Sequence, residues 1–166
     1  RMDNFFDLFE IPMQLKVDPA SIRPRFFALS RQFHPDFFVN RPAEEQQAAL
    51  EKTSSLNKAW KTFQQPDELL RYVLEIQGAW ISGEKYELSP DFLMEVMEIN
   101  EAMMDLEEGN KDGILKQASG LQTNMFEPVA PYFSENPFMP TPEKLADLKE
   151  YYYRKKYLDR ILQGLS

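Results

Sequence analysis

The sequence predicts an all-α protein: an N-terminal helical hairpin with short flanking helices, followed by a three-helix bundle. Three observations predict this class. Apolar residues recur at spacings of three and four, as on the buried face of a helix. Asp18-Pro19, Ser89-Pro90 and Thr141-Pro142 each join a good N-cap to a proline suited to the first helical position. Beyond residue 83 no stretch shows the period-two alternation of a half-buried strand.

The elements follow in order. The chain opens on an apolar run, Phe5-Phe6-Asp7-Leu8-Phe9. A helix then starts at Asp18-Pro19 and carries Ile22, Phe26, Leu29 and Phe33 on one face. Pro35 ends it, because a proline drives the residue before it out of the α region and offers no backbone donor. The exit leaves His34 and Asp36 two residues apart on a loop. A second amphipathic helix presents Ala49, Thr53, Leu56, Trp60 and Phe63, and Gln65-Pro66 opens a short further helix with Arg71-Tyr72-Val73-Leu74. Gly78 and Gly83 bracket a break, so residues 1–78 form one domain, 79–88 a linker and 89–166 the bundle. The first bundle helix runs from Ser89 to about Glu108 and stops at Gly109-Asn110. The next starts at Lys111 and carries Ile114, Leu115, Ala118, Leu121 and Met125; Pro128 and Pro131 kink or end it before Phe133. Thr141-Pro142-Glu143 begins a last helix that nearly reaches Leu165.

Composition excludes several classes. The formal charge is −8, and it is uneven. Residues 1–78 hold ten Lys/Arg against eleven Asp/Glu and residues 79–166 nine against sixteen, leaving −1 and −7. Neither half has the basic balance of a nucleic-acid binder. No apolar stretch is long enough for a membrane span. Cysteine is absent and histidine occurs once, which excludes a disulfide framework, a thiolate metal site and a histidine-spaced metal motif. The lack of cysteine fits a reducing compartment; the short start of the chain makes a bacterial cytoplasm the expectation, with a mitochondrial matrix as the alternative.

Within the neutral half, Arg23, Arg25 and Arg31 gather on the helix before His34. For three arginines alone a solvated helix face is the favoured account; their nearness to His34 shifts the reading toward docking of an acidic partner surface. In the acidic half, Phe92, Val96, Ile99, Met103 and Leu106 form one stripe, while Leu93, Met94, Met97 and Met104 fall off it. Four of the eight methionines lie between positions 94 and 104. Methionine adapts to irregular surfaces and is over-used at binding faces, although a helix buried on two sides needs the same excess. On the last helix Leu148, Tyr151, Tyr152, Leu158, Ile161 and Leu165 serve the core, leaving Tyr153 and Tyr157 outside it.

The stretch from about residue 4 to 78 resembles a J-domain, the module that stimulates ATP hydrolysis by DnaK-type chaperones. The resemblance rests on the Phe5–Phe9 opening, Arg31-Gln32-Phe33 leading into His34-Pro35-Asp36, and Leu56-Asn57-Lys58-Ala59-Trp60 on the later helix. Phe92-Leu93-Met94-Glu95 and Tyr157-Leu158-Asp159 are similar to the C-terminal domain of the HscB family. That family joins a J-domain to a three-helix bundle that binds IscU, the iron–sulfur scaffold. The resemblance implies a co-chaperone that catalyses nothing itself, needs no cofactor or metal, and delivers IscU to an HscA/DnaK-type chaperone while stimulating its ATPase. It implies chaperone contacts by His34, Pro35, Asp36, Arg25, Arg31, Gln32 and Asn57. It implies scaffold contacts by Leu93, Met94, Met97 and Tyr157. Two features depart from the family: Phe37 stands where a lysine usually follows the His-Pro-Asp, and Pro128 and Pro131 interrupt the middle of the bundle.

Three other readings compete, the plainest being an unspecialised helical protein in which His34-Pro35-Asp36 is only a helix stop, which explains Pro35 but leaves the residues around it as coincidence. His34 and Asp36 could act as an acid–base pair of an enzyme, but no cysteine nucleophile, phosphate-cradling glycine loop or metal-spaced histidines accompany them. The chain could instead be a J-protein for other protein clients, a type that normally carries glycine-rich or cysteine-rich regions after its J-domain.

Overall fold

The computed structural model describes residues 4–105 and 110–165, and among these the chain is all-helical, without a strand. Its helices are α1 (Phe5–Phe9), α2 (Pro19–Gln32), α3 (Ala43–Phe63), α4 (Pro66–Ile76), α5 (Pro90–Met104), α6 (Lys111–Phe126), α7 (Ala130–Phe133) and α8 (Pro142–Leu162). Single 3₁₀ turns cover Pro35–Phe38 and Gln163–Leu165. The expected extension of α5 through Leu106 and Glu108 to Gly109 lies outside the described residues.

The chain divides into two compact units. The first runs to Ile76 and takes in Phe133–Met139; the second runs from Gln77 to Tyr132 and resumes at Pro140. The stretch Phe133–Met139, read from the sequence as part of the bundle region, therefore belongs with the first unit. There Phe138 is buried and its N–H donates to the Met13 carbonyl at 2.7 Å.

In the first unit α3 is the central element and contacts α1, α2 and α4. Local chemistry sets the short helices. Asn4 and Asp7 form a capping box on α1, and Asp18 accepts the Ala20 N–H at 3.1 Å at the start of α2. The packing is aromatic. Phe6 and Phe9 meet the Phe63 ring at centroid distances of 5.5 and 5.2 Å, and Phe26 stacks on Trp60 at 4.6 Å. Leu56 and Ala59 are fully buried on the inward face of α3, and Leu69, Leu70, Val73 and Leu74 of α4 complete the core. Full burial of one such large apolar side chain is worth about 1.5–3 kcal/mol. The Tyr72 ring stacks on Phe5 at 4.2 Å, and its hydroxyl accepts the Phe5 N–H at 2.9 Å. The N-terminal aromatic run is thus the component that closes this unit.

In the second unit α5, α6 and α8 pack on one another in a three-helix core of Phe92, Val96, Ile99, Ile114, Ala118, Leu121, Met125, Leu158 and Leu165. α6 ends at Phe126, just before Pro128, and a new short helix starts beyond it, so the prolines interrupt the bundle as expected. Leu115 faces outward, 43% exposed, because the α6 core stripe is already filled by its neighbours at 114, 118 and 121.

Residues 79–88, read from the sequence as a linker, lie in the second unit and are fastened to α8. The Lys149 ammonium reaches the Glu84 carboxylate at 2.9 Å, and the Tyr153 hydroxyl donates to the same carboxylate at 2.9 Å. The Tyr86 ring stacks on Tyr153 at 4.6 Å, and its hydroxyl donates to Glu150. Tyr153, expected to stand apart, is consumed by this fastening.

Lys149 holds the Glu84 carboxyl below its ordinary range, helped by the donors from Tyr153 and Ile81. Desolvation, and then the neighbouring carboxylates Glu84 and Glu150, push the Tyr153 and Tyr86 phenols up to about 12. A depressed carboxyl contributes stability that is present above its unfolded value near 4.5 and lost as pH falls through the folded one. We therefore expect the Tm difference between the wild type and Glu84→Gln to be largest near neutral pH and to shrink below about pH 4.5. Calorimetry across that range checks this, and an unchanged difference contradicts it.

Candidate functional site

The end of α2 builds the site. Pro35 restricts His34 to an extended backbone, φ −62° and ψ 131°, so the helix stops at Gln32 with Phe33 as its cap. The Thr53 hydroxyl of α3 donates to the freed Phe33 carbonyl at 3.0 Å. The Lys52 ammonium lies 5.2 Å from the Phe33 ring centroid. The corner is thereby tied to the central helix of its unit. In place of the expected loop the chain makes a 3₁₀ turn, closed by the Phe37 N–H on the His34 carbonyl at 3.0 Å.

His34 caps that turn with its own side chain: Nδ1 accepts the Asp36 N–H at 3.2 Å. A neutral imidazole accepting at Nδ1 carries its proton on Nε2. The ring therefore keeps an Nε2–H donor unused by the cap, on a side chain 54% exposed. The Asp36 carboxylate lies 3.6 Å from Nδ1 and is 85% exposed, so it is aimed at solvent and available to an incoming cation. As an acid–base dyad the pair is poorly built, since the nitrogen facing the carboxylate is already occupied by a backbone donor.

Arg31, His34 and Asp36 line a single shallow cleft of about 500 Å³, together with Phe27, Ser30 and Phe37. Gln32 and, on α3, Asn57 are exposed, and Pro35 is half-buried; none of these three lines the cleft. Arg25 does not join the cleft either: its guanidinium pairs with Glu10 at the end of α1, so its charge is partly offset. Phe27 and Phe37 were not singled out as site residues by the sequence reading. The signal was there for Phe27, which falls off the Ile22–Phe26–Leu29–Phe33 stripe and so cannot share the buried face.

The second candidate face lies on α5. Phe92, Val96 and Ile99 turn inward, while Met94 and Met97, one turn apart, are 62% and 57% exposed, and Leu93 is half-buried beside them. Tyr157, expected outside the core, is half-buried and packs against the bundle core, its ring edge-on to Phe92 at 6.4 Å. The Arg160 guanidinium lies 5.5 Å from the centroid of that ring. Tyr157 therefore acts first as a packing residue, and the free apolar surface is that of Leu93, Met94 and Met97.

Among the described residues no group of three or more histidine, aspartate or glutamate side chains is gathered to hold a metal ion. No described helix is long and apolar enough to cross a membrane.

Comparison with known proteins places this geometry. Residues 88–166 match the family model described as the HSCB C-terminal oligomerisation domain. A relative from Haemophilus ducreyi (strain 35000HP / ATCC 700724), described as "Co-chaperone protein HscB homolog", is 33% identical over 135 residues, covering 78% of each chain. The crystal structure of human co-chaperone protein HscB is similar with a TM-score of 0.76 at 27% identity, over 98% of this chain and 80% of that one. The chaperone HscB from Vibrio cholerae shares the fold, with a TM-score of 0.62 at 23% identity over 99% of this chain and all of that one. An all-α chain with an outward His-Pro-Asp corner, a methionine-faced bundle and these relatives belongs to the HscB co-chaperone family.

Proposed function

We propose that this chain works by holding two partners at once. The first unit docks on an HscA/DnaK-type chaperone through the His34–Pro35–Asp36 corner and stimulates its ATPase. The second holds an IscU-type iron–sulfur scaffold and delivers it to that chaperone, assisting cluster transfer, in a bacterial cytoplasm. The observation that carries this reading is the corner itself, with the His34 imidazole and the Asp36 carboxylate both exposed and Nδ1 held by the Asp36 N–H.

Each corner residue has a chemical part. Asp36 pairs with a cationic side chain of the chaperone by charge-assisted hydrogen bonds. The His34 Nε2–H supplies a neutral donor, and Pro35 fixes the geometry of both. Arg31, exposed beside them, meets an acid, and Gln32 and Asn57 extend the polar rim. Arg25 contributes to the field of this face less than an unpaired arginine does, since Glu10 holds it. Stimulation is allosteric in the strict sense: the contact binds one state of the chaperone better than another and so shifts its equilibrium. Holding scaffold and chaperone together raises their effective concentration, which links the two events without any chemistry by this chain.

The scaffold face is Leu93, Met94 and Met97, flexible apolar side chains on an otherwise acidic bundle, with Tyr157 supporting α5 from behind through Phe92.

The His34→Gln variant is expected to retain the wild-type helical circular dichroism and to leave the ATPase of an HscA/DnaK-type chaperone at its unstimulated rate. Wild-type stimulation by the folded variant contradicts the docking assignment. The double variant Met94→Ser/Met97→Ser, both side chains exposed, is expected to weaken IscU binding by about tenfold or more in calorimetry, as loss of an apolar anchor does. Unchanged affinity removes this face from the scaffold site.

A further inference from the structure

The cleft beside His34 has a property that the docking corner does not require. Phe27 of α2 is 53% exposed and Phe37 of the 3₁₀ turn 70% exposed, and both line the same cleft. They come from different elements, and the Pro35 corner is what brings them together. A phenyl ring this exposed adds little to folding, and adjacent exposed aromatics on a charged surface mark a contact site. Around them stand one cation and one anion. Arg31 is exposed with no ion-pair partner among the described residues, and the Asp36 carboxylate is open.

We propose that this cleft receives an apolar side chain of the chaperone, set between an acidic group that meets Arg31 and a basic group that meets Asp36. The inference deepens the docking reading and rests on it. The occupant follows from charge and continuity. The cleft shares His34 and Asp36 with the corner, and its two rim charges call for a segment with an apolar residue between opposite charges. Seating that side chain against Phe27 and Phe37 expels water from around His34 and Asp36. In that drier setting the Nε2–H donor and the carboxylate pair more strongly than in bulk water. Phe37 also touches the imidazole edge, with ring centroids 6.3 Å apart and nearly perpendicular planes, so a covered Phe37 holds the ring in place. Attachment at this position is apolar, and salt does not screen it as it screens a surface ion pair.

The test titrates an HscA/DnaK-type chaperone with wild type, Phe37→Ala, Phe27→Ala, Phe37→Lys and His34→Gln, at low and high salt, reading ATPase rate. Phe37→Ala is expected to raise the half-maximal concentration about tenfold while the maximal stimulation at saturation is kept, and Phe27→Ala to act in the same direction. Phe37→Lys is expected to give a half-maximal concentration that rises more steeply with salt than the wild-type value. His34→Gln is expected to remove the maximal stimulation. If both alanine variants keep the wild-type half-maximal concentration while His34→Gln is inactive, the cleft proposal is overturned and the docking reading stands. If folded His34→Gln stimulates normally, the docking reading itself fails. Sedimentation separates the other occupant: a Phe37→Ala change in self-association with unchanged half-maximal concentration assigns the cleft to a second copy of the chain and overturns the proposal.

Discussion

The docking corner proposed for the amino-terminal unit depends on one backbone constraint. Pro35 forbids His34 the helical conformation, and α2 must stop there. A stopped helix leaves carbonyls without partners, and the Thr53 hydroxyl of α3 takes one of them, at Phe33. That bond is worth about 1 kcal/mol in stability. Its larger effect is positional, because it fixes the corner to the helix around which the unit is built. The 3₁₀ turn that follows needs a cap, and the imidazole supplies it from within the corner. Constraint, tether and cap together orient the imidazole and fix the backbone from which the Asp36 carboxylate projects.

In the proposed function the two faces of the protein use different physics for the same purpose. At the corner the groups are polar, and the imidazole is already held by the Asp36 N–H, so the ring loses little rotational freedom when a partner arrives. On α5 the groups are methionines, which conform to a partner and are not shaped in advance. Rigid polar presentation suits a contact that must bias another protein between two states. A soft apolar face suits a cargo that has to be gripped and released. Phe37, 70% exposed beside the imidazole, moves the corner part of the way toward the second kind of surface.

Much of this was readable from residues whose effects are local. Asp18-Pro19, Ser89-Pro90 and Thr141-Pro142 mark helix starts because capping and proline geometry act within one turn, and Pro35 marks a stop for the same reason. The periodicity of Ala49, Leu56 and Phe63 places one face of α3 in the core for reasons equally contained in the helix. What was not readable came from distant partners. Helical spacing says that Tyr153 leaves the main stripe, but not that Glu84 and Tyr86 cover it. It places Arg25 on the surface, but not against Glu10. Nor does it show that Phe133–Met139 joins the first unit, a pairing with residues more than a hundred positions earlier. The imidazole cap was missed for another reason, since histidine is not among the side chains that usually cap helices.

Because the chain has a single histidine, the central claim can be read from one set of nitrogen signals. The measurement is the coupling across the hydrogen bond between the Asp36 amide nitrogen and His34 Nδ1, recorded on nitrogen-15-labelled protein. The account predicts a resolved coupling in the folded protein, with the ring proton on Nε2. A ring that carries its proton on Nδ1, or shows no coupling while the protein is folded, contradicts the account.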